Sequence, residues 1–150
     1  MIQDEISSIA RFCYDKNPAK LYFDRIPQNM VIPCMYFPAP VVGSSPDTIG
    51  AYLNVYQLFI KVFAVKTQDA HRDAHVIAEA IRRARGVIPV INPDGNLSGG
   101  FMQINLDIQT KPLDDGVAQL SLKWKSRYKY DRETQPLMES LKIIGDIKKE

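Results

Sequence analysis

The chain has 150 residues, of which 45% are hydrophobic and 24% charged, and a formal net charge of +2. That length predicts one domain, which buries roughly 70% of its unfolded surface and needs no staples to hold one core. The charge balance excludes a strongly basic nucleic-acid binder, and no apolar run approaches the ~18 residues of a membrane helix, so no membrane partner is expected.

The first 15 residues place Ile2, Ile6, Ile9 and Cys13 on one helical stripe, with Asp4 and Glu5 in the first turn. An acidic start without a basic region or long apolar run is unlike a signal peptide, and predicts a protein that stays in the cytoplasm where it is made. Pro18 ends the helix. The two cysteines, Cys13 and Cys34, match no zinc or redox spacing. They read as buried free thiols of a reducing compartment, with a disulfide between them as the alternative.

Residues 21–40 read LYFDRIPQNMVIPCMYFPAP, with four prolines among aromatic and aliphatic side chains. The prolines exclude a helix or a central strand. Residues 34–37 form at most a short edge strand, with Tyr36 and Phe37 on opposite sides. The stretch reads as a stiff apolar bridge that packs on its own core, on a neighbouring subunit, or on both. Residues 39–50, rich in Gly, Ser, Pro and Asp, read as a loop.

Residues 51–66 carry the strongest strand signal. Tyr52, Tyr56, Leu58, Ile60, Val62 and Ala64 share one face with Asn54. Leu53, Val55, Phe59, Phe63 and Val65 share the other with Gln57 and Lys61. A strand apolar on both faces is sandwiched within its domain or covered by another chain. The second reading makes Leu53, Val55, Phe59, Phe63, Tyr36 and Phe37 candidate subunit-interface residues, because permanent interfaces resemble a divided core.

A second helix is predicted over 67–85, with Thr67 as N-cap, an Ala70, Ala74, Ile77, Ile81 and Ala84 stripe, and Gly86 at C′. Residues 87–91 are a short apolar piece, and 92–100 a turn and loop. Two alternating strands follow, 102–109 and 118–130, joined by a hairpin loop at 111–116. In the first, Met102, Ile104, Leu106 and Ile108 are expected to face inward. In the second, Lys123, Lys125, Arg127 and Lys129 form a basic row. That row is a solvated edge-guarding face, or a surface for an acidic partner or a nucleic-acid passage. Residues 131–150 are expected to form a tail or arm beyond a 1–130 domain. The fold class is α+β: two helices on one face of a mainly antiparallel sheet of about four strands.

No catalytic constellation emerges, and neither an enzyme nor a cofactor is expected. His71 and His75, spaced i, i+4, lack a third ligand and read as surface or interface histidines. Asp114 and Asp115 precede Gly116 in turn chemistry.

The order of these elements resembles the phage tail terminator family, also called tail completion proteins. The stretches that carry the resemblance are LYFDRIPQNMVIPCMYFP, YLNVYQLFIKVFAV, DAHVIAEAIRRARGVIPVI and INLDIQTKPLDDGVAQLSLKWKSRY, within residues 1–130. The family implies a homo-oligomer, a hexameric ring on the head-proximal end of the tail tube. Its partners would be the tail tube protein, a neck or head-completion protein and, in contractile tails, the sheath protein. DNA would pass through the lumen without specific binding, and Lys123, Lys125, Arg127 and Lys129 would face the lumen or a partner. A head–tail connector subunit and a monomeric cytosolic ligand-binding domain are the alternatives.

Overall fold

The structure is a computed structural model and describes residues 2–131. Of the tail expected at 131–150, all but residue 131 lies outside the described residues. Among the described residues the fold is α+β with two helices and a mostly antiparallel sheet, but with eight strands in two sheets rather than about four. In chain order these are α1 (Ile2–Lys16), β1 (Lys20–Phe23), β2 (Cys34–Phe37), β3 (Val41–Thr48), β4 (Ala51–Phe63), α2 (Thr67–Arg83), β5 (Val87–Ile91), β6 (Leu97–Gln103), β7 (Gln109–Asp114) and β8 (Val117–Lys129).

The main sheet has the order β1-β2-β4-β8-β7, and β3 also pairs with β4. Its spine is β4 against β8, antiparallel in unbroken register from Ala51↔Lys129 to Phe63↔Val117. The alternation of apolar residues sets that register, since a one-residue slip would turn every core side chain outward. Tyr56, Leu58, Ile60 and Val62 of β4 and Ala118, Leu120, Leu122 and Trp124 of β8 form the buried inner face. Helix α2 covers it with Ala70, Ala74, Ile77, Ala78 and Ile81, and α1 adds Ile9, Ala10 and Cys13. Three alanines among those five residues let α2 lie close to the sheet.

Both cysteines are free and buried. Burial pushes the Cys13 thiol up from 9.0 to about 12, which leaves it protonated and unreactive near neutrality.

The stretch at 39–50, expected to be a loop, instead contains β3. Its pairing with β4 runs from Val41↔Gln57 to Ser45↔Leu53, while β2 pairs higher up as Cys34↔Phe63 and Tyr36↔Lys61. Together β2 and β3 make one long strand beside β4, with one extra residue where Pro38 and Pro40 interrupt it. Proline belongs at such a bulge, because the missing donor is not needed there. β1, also unforeseen, joins β2 as the only parallel pair among the described strands.

The strand expected at 102–109 is divided. Its start belongs to β6, which pairs with β5 in a small separate hairpin. Asn105 Oδ1 then accepts from Asp107 N at 3.0 Å, a local turn that stops the strand. Met102, Ile104 and Ile108 are buried as expected, but Leu106 is 50% exposed. The expected loop at 111–116 is largely strand β7, and the turn shrinks to Asp115 and Gly116. Pro112 is tolerated because β7 is an edge strand.

The helix caps also differ. Lys66, without a side-chain cap bond, is the N-cap of α2. Thr67 Oγ1 accepts instead from Gly116 N at 2.9 Å, tying the β7–β8 turn to the helix start. At the other end Arg85 N donates to Arg82 O and Gly86 N to Ile81 O, so Arg85 is C′ and Gly86 follows it. Gly86 has φ +75°, and a Cβ there would lie 2.3 Å from Ile104 O. Both the backbone angle and the space demand glycine. Gly86→Ala is expected to destabilise the fold by about 3 kcal/mol, lowering the melting temperature by about 10 °C. A melting temperature within a degree or two of wild type would show that Ile104 moves aside freely.

Candidate assembly surface

The two helices leave the other face of the main sheet uncovered by any described element. β4 contributes Leu53, Val55, Gln57, Phe59, Lys61 and Phe63 to it, all half-buried. The register sets these beside β8 as Leu53↔Arg127, Val55↔Lys125, Gln57↔Lys123, Phe59↔Ser121, Lys61↔Gln119 and Phe63↔Val117. On the far side of β4 the same rows continue to Tyr36, Val41, Gly43 and Ser45.

Five of the six proposed interface residues therefore share this outer face: Tyr36, Leu53, Val55, Phe59 and Phe63. Phe37 does not. It points the opposite way, is 1% exposed, and stacks on Phe23 with ring centroids 5.4 Å apart. Phe37 is a core residue of its own chain, as alternation along β2 requires once Tyr36 faces outward.

The face has two zones. Near the β7 end Phe59, Phe63 and Val117 surround polar side chains. Gln119 and Ser121 are nearly buried there, because each sits on a central strand between longer neighbours. Lys61 donates to Gln119 Oε1, and its ammonium lies 5.7 Å from the Phe59 ring centroid. Burial, and then the charge of nearby Lys111, depress the Lys61 pKa. Sequence reading missed Gln119 and Ser121 as part of this surface. Their only signal was parity with Lys123.

At the other end the basic row is real but incomplete as a field of free charge. Lys123 is half-buried, and Lys125, Arg127 and Lys129 are exposed. Arg127 Nε sits 2.6 Å from Asp47 Oδ2, so β3 neutralises one member of the row. The same end of the inner face holds a polar network. Trp124 Nε1 donates to Glu5 Oε2 at 2.9 Å, and Ser126 Oγ donates to Glu5 Oε1. The Tyr56 and Tyr128 hydroxyls lie 2.8 Å apart. Burial and the Tyr56 hydrogen bond raise the Tyr128 pKa above the usual phenol range.

Further apolar side chains are exposed in the connection between β1 and β2, where Val31 is 59% exposed beside half-exposed Ile32. Tyr22 Oη accepts from Val31 N at 2.9 Å, and Tyr36 Oη donates to Asp24 O at 2.8 Å. Each tyrosine thus fastens the proline-rich connection to the sheet. His71 is half-buried and His75 exposed on α2, where His75 Nε2 faces Glu79 at 3.9 Å. Among the described residues no group of three or more His, Cys, Asp or Glu could hold a metal ion. Asp114 and Asp115 lie at the β7–β8 turn, where Asp114 Oδ1 accepts from Asp115 N.

The fold and this surface define an α+β domain whose helices cover one sheet face and leave a mixed apolar and basic face open. No protein-family model matches the chain. It is 34% identical over 147 residues to the uncharacterized protein YqbJ of Bacillus subtilis (strain 168), across 98% of this chain and all of that one. It is 30% identical over 147 residues, with the same coverage, to protein XkdJ of the phage-like element PBSX of that organism. The chain belongs to the family of these two proteins. A chain from the virion of a native gene transfer agent particle is similar over 83% of this chain and 94% of that one, at 14% identity and a TM-score of 0.47.

Proposed function

We propose that this protein is a virion component acting as a tail terminator. It forms a ring, a hexamer by the resemblance of its sequence, on the head-proximal end of the tail tube. The ring stops tube polymerisation and presents a docking surface to a neck or head-completion protein, and to the last sheath ring where the tail contracts. The role is structural, and the mechanism requires no catalytic group or cofactor.

The observation that carries this reading is the full-length relationship to XkdJ, a protein of a phage-like element. The half-buried outer face supports it. Phe59, Phe63, Val55 and Leu53 lie in a strip along β4 that a neighbouring subunit would cover, as divided cores do in permanent assemblies. A near-neutral chain suits a lumen through which DNA slides, since tight phosphate binding would arrest it.

The test is electron microscopy of particles assembled without this protein. Tubes of uncontrolled length support termination. Tubes of normal length that fail to join heads favour a neck or connector subunit instead. Normal particles overturn both readings.

A further inference from the structure

β8 is 13 residues long and pairs with β4 throughout, but β7 accompanies it only from Val117 to Ser121. Ile104 bridges to Trp124, and Asn105 N donates to Lys123 O at 2.7 Å. There β6 turns away to pair with β5, since Met102 lies opposite Ile88. Among the described residues nothing continues the ladder along 125–129. That is about 16 Å of open strand edge on a sheet spine otherwise paired on both sides.

The direction of the backbone groups follows from two hydrogen bonds. Lys123 O points toward Asn105, whereas Tyr130 N points toward β4 by donating to Gly50 O at 3.0 Å. Alternation then turns the N–H and C=O groups of Arg127 and Lys129, with Lys125 O, to the open edge. The side chains of these same residues are basic. Lys125 and Lys129 have no acidic partner among the described ion pairs, and Arg127 alone has Asp47. A cleft of about 600 Å³ opens at the head of the slot, lined by Lys123, Lys125, Asn105, half-exposed Leu106 and Val55.

We propose that this edge is a docking site for an extended acidic segment of a partner protein, which adds to the sheet as a strand beside residues 125–129. An incoming strand repeats its side chains every ~6.7 Å, as β8 does, so carboxylates at alternate positions meet Lys125, Arg127 and Lys129 in register. Its backbone supplies both donors and acceptors to the open edge. A nucleic-acid strand matches the charges but offers phosphates that only accept, leaving the edge carbonyls without partners. An apolar residue at the head of the segment enters the cleft over Val55 and Leu106. The backbone contacts of the site lie on the open edge of β8, while its side-chain contacts, Val55 and the basic row, adjoin the outer face of β4.

The experiment uses the full-length, isotope-labelled chain and a synthetic peptide alternating glutamate with valine. A second peptide of equal charge carries proline at the valine positions, and an oligothymidine provides phosphates. The first peptide is expected to slow amide exchange at Arg127 and Lys129. The double variant Lys125→Glu, Lys129→Glu is expected to weaken its binding at least about tenfold, as reversal of facing charges does. The proposal fails if the proline peptide binds as tightly, or if the oligothymidine protects the same amides. It also fails if those amides are already protected in the dilute free chain, which assigns the edge to the chain's own residues beyond 131. Protection that appears only as protein concentration rises assigns it to a second copy and likewise overturns the proposal.

Discussion

A Phe59→Asp protein is expected to fold, stay soluble and run as a monomer under conditions where the proposed ring of the wild type would assemble. Phe59 lies mid-strip on the outer face, between Val55 and Phe63 along β4 and opposite Ser121 on β8. A central aromatic of a subunit contact typically contributes about 2–4 kcal/mol, so its loss weakens association by roughly 30- to 1,000-fold. The introduced carboxylate adds the desolvation of a charge to that loss. Within the monomer the change is tolerable. Phe59 is only half-buried, and Lys61 approaches its ring, so the new carboxylate has a cation at hand. Multi-angle light scattering reads the mass and circular dichroism the fold. Equal masses for variant and wild type, with the fold intact, would remove the outer face of β4 from the subunit contact.

The proposal of that contact comes from the sequence, because β4 is written twice over. One parity carries the core and the other carries Phe59 and Phe63, and a soluble strand needs only one apolar face. Alternation likewise showed which face of each long strand turns inward, with Leu58 and Ile60 on one and Leu120 and Leu122 on the other, but not that the two strands pair. What was not readable lies where local chemistry and tertiary pairing disagree. Val41–Thr48 reads as a loop because Gly43, Ser44, Ser45 and Pro46 have little strand preference. It becomes a strand because the unpaired edge of β4 offers it a ladder. Residues 102–109 alternate well enough for one strand. The side chain of Asn105, which alternation treats as an outward polar residue, bonds back to Asp107 and ends it. Thr67 is a good N-cap by type, but its hydroxyl serves Gly116 instead. In the candidate interface the same limit appears at Phe37. Two adjacent aromatics cannot share a face of a strand, and only the pairing of Tyr36 with Lys61 decides which one turns inward.

Trp124→Ala is expected to be the most damaging single substitution in the described core, and Trp124→Phe a mild one. Trp124 is 2% exposed and stacks on Tyr56 with centroids 5.3 Å apart. Truncating it to alanine leaves a large cavity under the sheet and costs about 4 kcal/mol, a substantial part of the ~5–15 kcal/mol that holds a domain together. The melting temperature then falls by more than about 10 °C. Phenylalanine refills most of that volume but has no N–H for Glu5 Oε2. Glu5 keeps Ser126 as a donor, so the loss is about 1–2 kcal/mol, the range of one hydrogen bond to a charged group. The two variants therefore separate packing from polar anchoring. A double-mutant cycle with Glu5→Ala isolates the anchoring, with an expected coupling of about 1 kcal/mol. This bond links α1 to β8 across 119 residues of sequence, and it fixes how the first helix closes over the inner face. Zero coupling would mean that packing alone seats α1. The Glu5 carboxylate would then be a first-turn charge favoured by the helix dipole and nothing more.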